Sequence, residues 1–134
     1  MNVAELLDKA DRALASARIL LESDDVNGAC NRAYYAMFDA ARAALHSSQS
    51  PESRSARTHS GLISAFSLNL VKSGRMPLEF GKALNRVAEI RMVADYTDNQ
   101  VEVATAGWAI DQAERFVAEI RLRFSSRDGL DADG

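Results

Sequence analysis

Apolar residues recur at intervals of three and four along almost the whole chain, and no useful length alternates apolar with polar as a strand does. The first run predicts a helix over about Val3 to Glu22. Leu6, Ala10, Ala13, Ala17 and Leu20 form one line, Leu7, Leu14 and Leu21 a second, and charged residues take the other positions. Ser23, Asp24 and Asp25 end it, and either aspartate can cap the next helix. That helix, about Val26 to His46, is apolar over most of its circumference, as expected of the central member of a bundle.

Ser47 to Arg57 is serine-rich, carries Pro51 and has no period, so it reads as an exposed, mobile loop. A third helix is expected from Thr58 to Ser73, with His59, Ile63, Phe66 and Leu70 on one face and Gly74 as a left-handed stop. Pro77 suits the first turn of a fourth, which runs to about Tyr96. Asn99 and Glu102 have the spacing of a capping box for a fifth, over about Gln100 to Phe124. Ser125 to Gly134 is acidic and glycine-containing and reads as a fraying tail. The predicted fold is all-α: an antiparallel up-and-down bundle of about five helices over residues 1–124, with a flexible tail at 125–134.

Composition narrows the function classes. The 134 residues suit one domain, and 47% hydrophobic content excludes a disordered chain. A net charge of −3 argues against nucleic-acid binding by bulk positive charge and leaves only a local basic patch. Cys30 is the single cysteine, so no internal disulfide can form, and with two histidines it makes no zinc set. No basic start with an apolar stretch marks a signal peptide, and no apolar run approaches a membrane span. A cytoplasmic protein is the expectation, without metal or cofactor and without membrane contact.

Three polar clusters are candidates for chemistry. Arg32, Tyr35, Asp39, Arg42 and His46 make a polar stripe down the second helix. It reads either as a solvated face with local ion pairs or as an anion-binding strip, for which Arg32 offers a fixed guanidinium fork. Arg91, Asp95 and Tyr96, with Glu89 and Asp98 nearby, close the fourth helix, as an intrahelical salt bridge or as a phosphate- or ribose-facing group. Arg54, Arg57, Thr58 and His59 form a positive cluster at the start of the third. The helix dipole there disfavours a proton on His59, and a neutral imidazole can act as a base; the plainer reading is that it caps or packs against the loop. No Walker loop, dinucleotide fingerprint or nucleophile elbow occurs.

Three segments together resemble the HEPN domain family, in its small prokaryotic branch. They are Asn31-Arg32-Ala33-Tyr34-Tyr35-Ala36-Met37-Phe38-Asp39-Ala40-Ala41-Arg42-Ala43, Thr58-His59-Ser60-Gly61-Leu62-Ile63, and Glu89-Ile90-Arg91-Met92-Val93-Ala94-Asp95-Tyr96-Thr97-Asp98. The likeness extends over about residues 3–122. It implies a helical bundle paired as a two-fold homodimer, and many such proteins are metal-independent ribonucleases of toxin–antitoxin systems, often encoded beside a minimal nucleotidyltransferase. Their signature is an arginine followed four to six residues later by a histidine. Arg91 aligns with that arginine, but Met92-Val93-Ala94-Asp95-Tyr96 follows. Relatives often carry a histidine after the Tyr-Tyr-Ala-Met-Phe block, where this chain has Asp39, whose ordinary pKa of about 3.9 makes it a poor substitute for imidazole. Arg54 and His59 meet the spacing, in a different place, the loop leading into the third helix.

Three readings follow. The first expected is a non-catalytic HEPN module binding nucleotide, RNA or a nucleotidyltransferase partner through Arg32, Tyr35, Asp39, Arg54, Asp95 and Tyr96. The second is a metal-independent ribonuclease toxin with His59 and Arg91 as catalytic residues. The third is a structural dimerisation unit.

Overall fold

A computed structural model describes residues 1–49 and 58–125 and is all-helical over them. The helices are α1 (Val3–Glu22), α2 (Val26–Ser47), α3 (His59–Phe66), α4 (Leu78–Tyr96) and α5 (Val103–Ile120). Wider π turns continue α3 over Ser67–Val71 and α5 over Arg121–Ser125. The mobile loop expected over Ser47–Arg57 falls mostly, and Arg54 wholly, outside the described residues; so does nearly all of the predicted tail.

Local chemistry explains where the helices start. Asn2 and Glu5 make a reciprocal capping box at α1. Of the two candidate caps for α2, Asp25 serves, accepting from the Gly28 amide at 2.9 Å, while Asp24 turns the chain at φ 66°. Thr58 caps α3 through the Gly61 amide, also at 2.9 Å. Gly74 takes φ 83°, the left-handed stop its position suggested. Pro77 is extended and sits just outside α4 rather than in its first turn.

The start of α5 differs from the expectation. The Asn99–Glu102 capping box does not form, and the helix begins at Val103 rather than near Gln100. The Asn99 amide bonds the Thr97 hydroxyl at 3.2 Å, and the Val101 amide is held by Asn27 Oδ1 on α2 at 3.1 Å. Val101 is buried by that tie, so the chain stays extended until it has passed it.

Side-chain bonds also fix the topology. Asn27–Val101 joins the first turn of α2 to the approach to α5, and the Ser47 hydroxyl donates to the Phe124 carbonyl at their far ends. α2 and α5 therefore run parallel. Arg121 reaches Asp11, and Arg18 pairs with Glu114, which sets α1 antiparallel to α5. Asn31 bonds Asp95 and Tyr34 lies against Arg91, which sets α4 antiparallel to α2.

α2 is the central helix and touches all the others. Its most extensive interface is with α1, where alanines predominate: Ala10, Ala13 and Ala17 on one side and Ala29, Ala36 and Ala43 on the buried side of α2. Small side chains let the two backbones approach closely. A second packing centre is aromatic, with Phe116 of α5 5.3 Å from Phe66 and 6.3 Å from Phe80 between ring centroids. Among the described residues, two charged side chains are buried with this core, Asp39 and Arg91.

Ala36 is fully buried in this seam. Ala36→Leu is expected to cost about 1–3 kcal/mol in urea unfolding, by overpacking. Ala118→Leu, on the exposed face of α5, is expected to change stability by less than about 0.5 kcal/mol.

Candidate functional site

Arg91 lies on the α2-facing side of α4 and is 6% exposed. A guanidinium in such a place must be paired, because burying a lone charge is prohibitive. Its Nη1 donates to Asp95 Oδ2, one turn on, at 3.1 Å. Asn31 of α2 donates to the same oxygen at 3.0 Å and so fixes the acceptor. Three tyrosine rings box the cation: Tyr34 at 4.9 Å, Tyr96 at 5.5 Å and Tyr35 at 5.8 Å from the guanidinium carbon. Such contacts contribute about 0.5–2 kcal/mol each, most where water is excluded. Burial opposes the charge, but hydrogen bonds to Tyr96 and Asp95 outweigh it, and the pKa of Arg91 is raised. Its Nε is buried with no partner.

His59 is the first residue of α3, and the Thr58 cap sets its direction. Its ring stacks on Tyr34, with centroids 5.4 Å apart, and meets Phe38 edge-on at 4.9 Å. Nδ1 lies 2.6 Å from the Tyr34 hydroxyl and Nε2 3.5 Å from the Tyr35 hydroxyl. Burial, and then the nearby charge of Arg91, lower its pKa, which keeps the imidazole neutral near pH 7. Burial likewise pushes the Tyr34 phenol up to about 12, so it keeps its proton.

These groups share one open groove between α3 and α4, of about 540 Å³. Tyr34, His59 and Arg91 lie on its inner side, and Met92 and the largely exposed Tyr96 on its outer rim. The combination offers a fixed cation, a neutral imidazole and an exposed aromatic face within one apolar recess.

The structure gathers some of the sequence-predicted residues and separates others. His59, Arg91, Asp95, Tyr96 and Tyr35 form one cluster. Arg32 joins at the edge, its guanidinium 5.2 Å from the Tyr35 ring and its Nε on Asn31 Oδ1 at 3.3 Å. Asp39 stands apart from this group. It is buried and pairs with Arg42 at 3.7 Å. Burial raises its pKa against the pull of Lys9, Arg42 and Arg32. The polar stripe on α2 is therefore not one solvated face: Arg42 and His46 are exposed, Arg32 and Tyr35 half-buried and Asp39 inside.

Sequence reasoning misses Tyr34 and Asn31 as site residues. Tyr34 lies on the apolar line with Phe38, Ala41 and Leu45, and a hydroxyl on such a line was the available signal, because a buried phenol needs a partner. Asn31 carried no such mark; its role depends on where α4 packs.

The HEPN domain family model matches residues 3–123, and the chain belongs to that family. It is 33% identical to the UPF0332 protein glr0978 of Gloeobacter violaceus, over 86% of this chain and 95% of that one. It is 31% identical to a Methanocaldococcus jannaschii protein named "Putative toxin MJ0605", over 90% of this chain and 87% of that one. A third relative, the UPF0332 protein PH1297 of Pyrococcus horikoshii, is 32% identical over 81% and 82% of the two chains.

The site predicts a titration. NMR should show His59 losing its proton below the ordinary 6.5, and Arg91→Met should bring its pKa only part of the way back, because burial is the larger cause. The sign for stability follows. Between 6.5 and the lower folded value the unfolded chain binds more protons, so stability should fall as pH drops through that window. His59→Gln should remove that part of the dependence.

Proposed function

We propose that this chain is a toxin-type HEPN module that binds RNA in the α3–α4 groove, with binding rather than cleavage as its primary act. A backbone phosphate meets Arg91 and His59, and an unstacked base lies against Tyr96. The observation that carries this reading is the Arg91 side chain: charged, nine-tenths buried, boxed by tyrosines, lining an open groove, and with its inward Nε buried and unpartnered. Guanidinium groups suit phosphate, and exposed aromatic rings suit single-stranded bases. The absence of histidine after Arg91 favours binding over cleavage. The naming of a relative as a toxin supports the functional setting.

One observation favours a second reading, a metal-independent ribonuclease: a neutral imidazole shares the groove with the arginine. A two-fold homodimer and a nucleotidyltransferase partner that silences the module belong to the same proposal and rest on the family resemblance.

The test is labelled single-stranded RNA with purified protein in EDTA, scored for both binding and cleavage. The wild type should bind without cutting. Arg91→Met, checked for folding by circular dichroism, should weaken binding about tenfold or more, from lost charge-assisted hydrogen bonds. Cutting by the wild type that both Arg91→Met and His59→Ala abolish would establish the ribonuclease reading instead. Neither binding nor cutting would remove both.

A further inference from the structure

The two ring nitrogens of His59 are not equivalent, and the difference decides what the imidazole can do. Tyr34 is fully buried, and its hydroxyl has a single hydrogen-bond partner among the described residues, His59 Nδ1 at 2.6 Å. Two arrangements are available to a neutral pair. If Nδ1 carried the proton and donated to the phenol oxygen, the phenol's own hydrogen would be left inside the protein with no acceptor. If the phenol donates to a bare Nδ1, the same short contact satisfies both groups, and the ring proton resides on Nε2. Buried polar hydrogens are almost always paired, so the second arrangement is favoured.

We infer that Tyr34 is a positioning residue that holds His59 as an Nε2–H hydrogen-bond donor, so that the groove meets a phosphate with two donors, Arg91 and His59, and with no base. Nε2 is free to do this: its one partner among the described residues is the Tyr35 hydroxyl at 3.5 Å, a contact at the outer limit of a hydrogen bond that a phosphate oxygen can displace. A base would need the lone pair on Nε2, and Tyr34 directs that lone pair to Nδ1 instead. This inference rests on the RNA-binding reading for its ligand, but the tautomer is a property of the free protein.

Long-range proton–nitrogen NMR of the free protein near neutral pH tests it, since Nε2 is recognised by its coupling to both carbon-bound ring protons. The expected spectrum has Nε2 protonated and Nδ1 bare, with the shift of a hydrogen-bond acceptor. Tyr34→Phe should move Nδ1 to the shift of an unbonded imidazole nitrogen. A proton on Nδ1 in the wild type overturns the inference. The donor role is read separately on single-stranded RNA. His59→Gln, whose amide N–H replaces Nε2–H, should keep affinity within about threefold, while His59→Leu should lose on the order of tenfold. Equal loss in both variants overturns the donor role, and so does RNA cleavage that His59→Gln abolishes. The expected tautomer in a protein that binds no RNA leaves Tyr34's role standing and removes the RNA-binding reading alone.

Discussion

The buried charge of Arg91 constrains everything around it. A guanidinium cannot leave water without partners, and its partners come from two helices. Asp95 is supplied by its own helix one turn on, and Asn31 on α2 orients that carboxylate. Tyr34 and Tyr35, adjacent on α2, both bring their rings against the cation. The register of α4 against α2 is thus set by a polar network as much as by apolar packing. Replacing one partner would strand the rest, which is the usual behaviour of a buried ionic group. The same network leaves the cation at the wall of a groove, where burial and usefulness coincide.

The electrostatics of the groove follow from this arrangement. Burial lowers the pKa of His59, and Arg91 lies close enough to lower it further. Burial in this recess, with the charge of Arg91 added to it, keeps the histidine neutral. Tyr34 touches both groups, with its ring face under the guanidinium and its hydroxyl on the imidazole. One residue thereby serves as a packing element, a cation–π partner and a hydrogen-bond donor.

Helix existence and central placement were legible in the sequence because the three-and-four spacing of apolar residues is a direct record of burial. The α2 helix illustrates this, since its nearly continuous apolar surface required neighbours on most sides. Helix α5 shows the limit. Its capping-box spacing was present, but a side chain 74 positions away, Asn27, holds the backbone extended at Val101. No local pattern carries that information. The site was legible in part for the same reason. Arg91, Asp95 and Tyr96 are neighbours along one helix, so their association could be read from spacing. The meeting of His59 with Tyr34 depends on how α3 docks on α2. Asp39 lay on the same stripe as Tyr35 yet turned into the bundle, because helical spacing gives a face and not its surroundings.

His59 has a double position: it lines the groove, and it opens α3. That helix has only eight residues before its π turn, far too few to be stable by itself. Its first turn is secured by the Thr58 cap and by the imidazole's attachment to α2. Fraying of the first turn of α3 would withdraw the imidazole from the groove, while Arg91, on a long helix packed into the core, would stay where it is. The two sides of the groove therefore rest on different supports: one on a long helix packed into the core, the other on the first turn of a short helix held by its cap and by the imidazole's own contact.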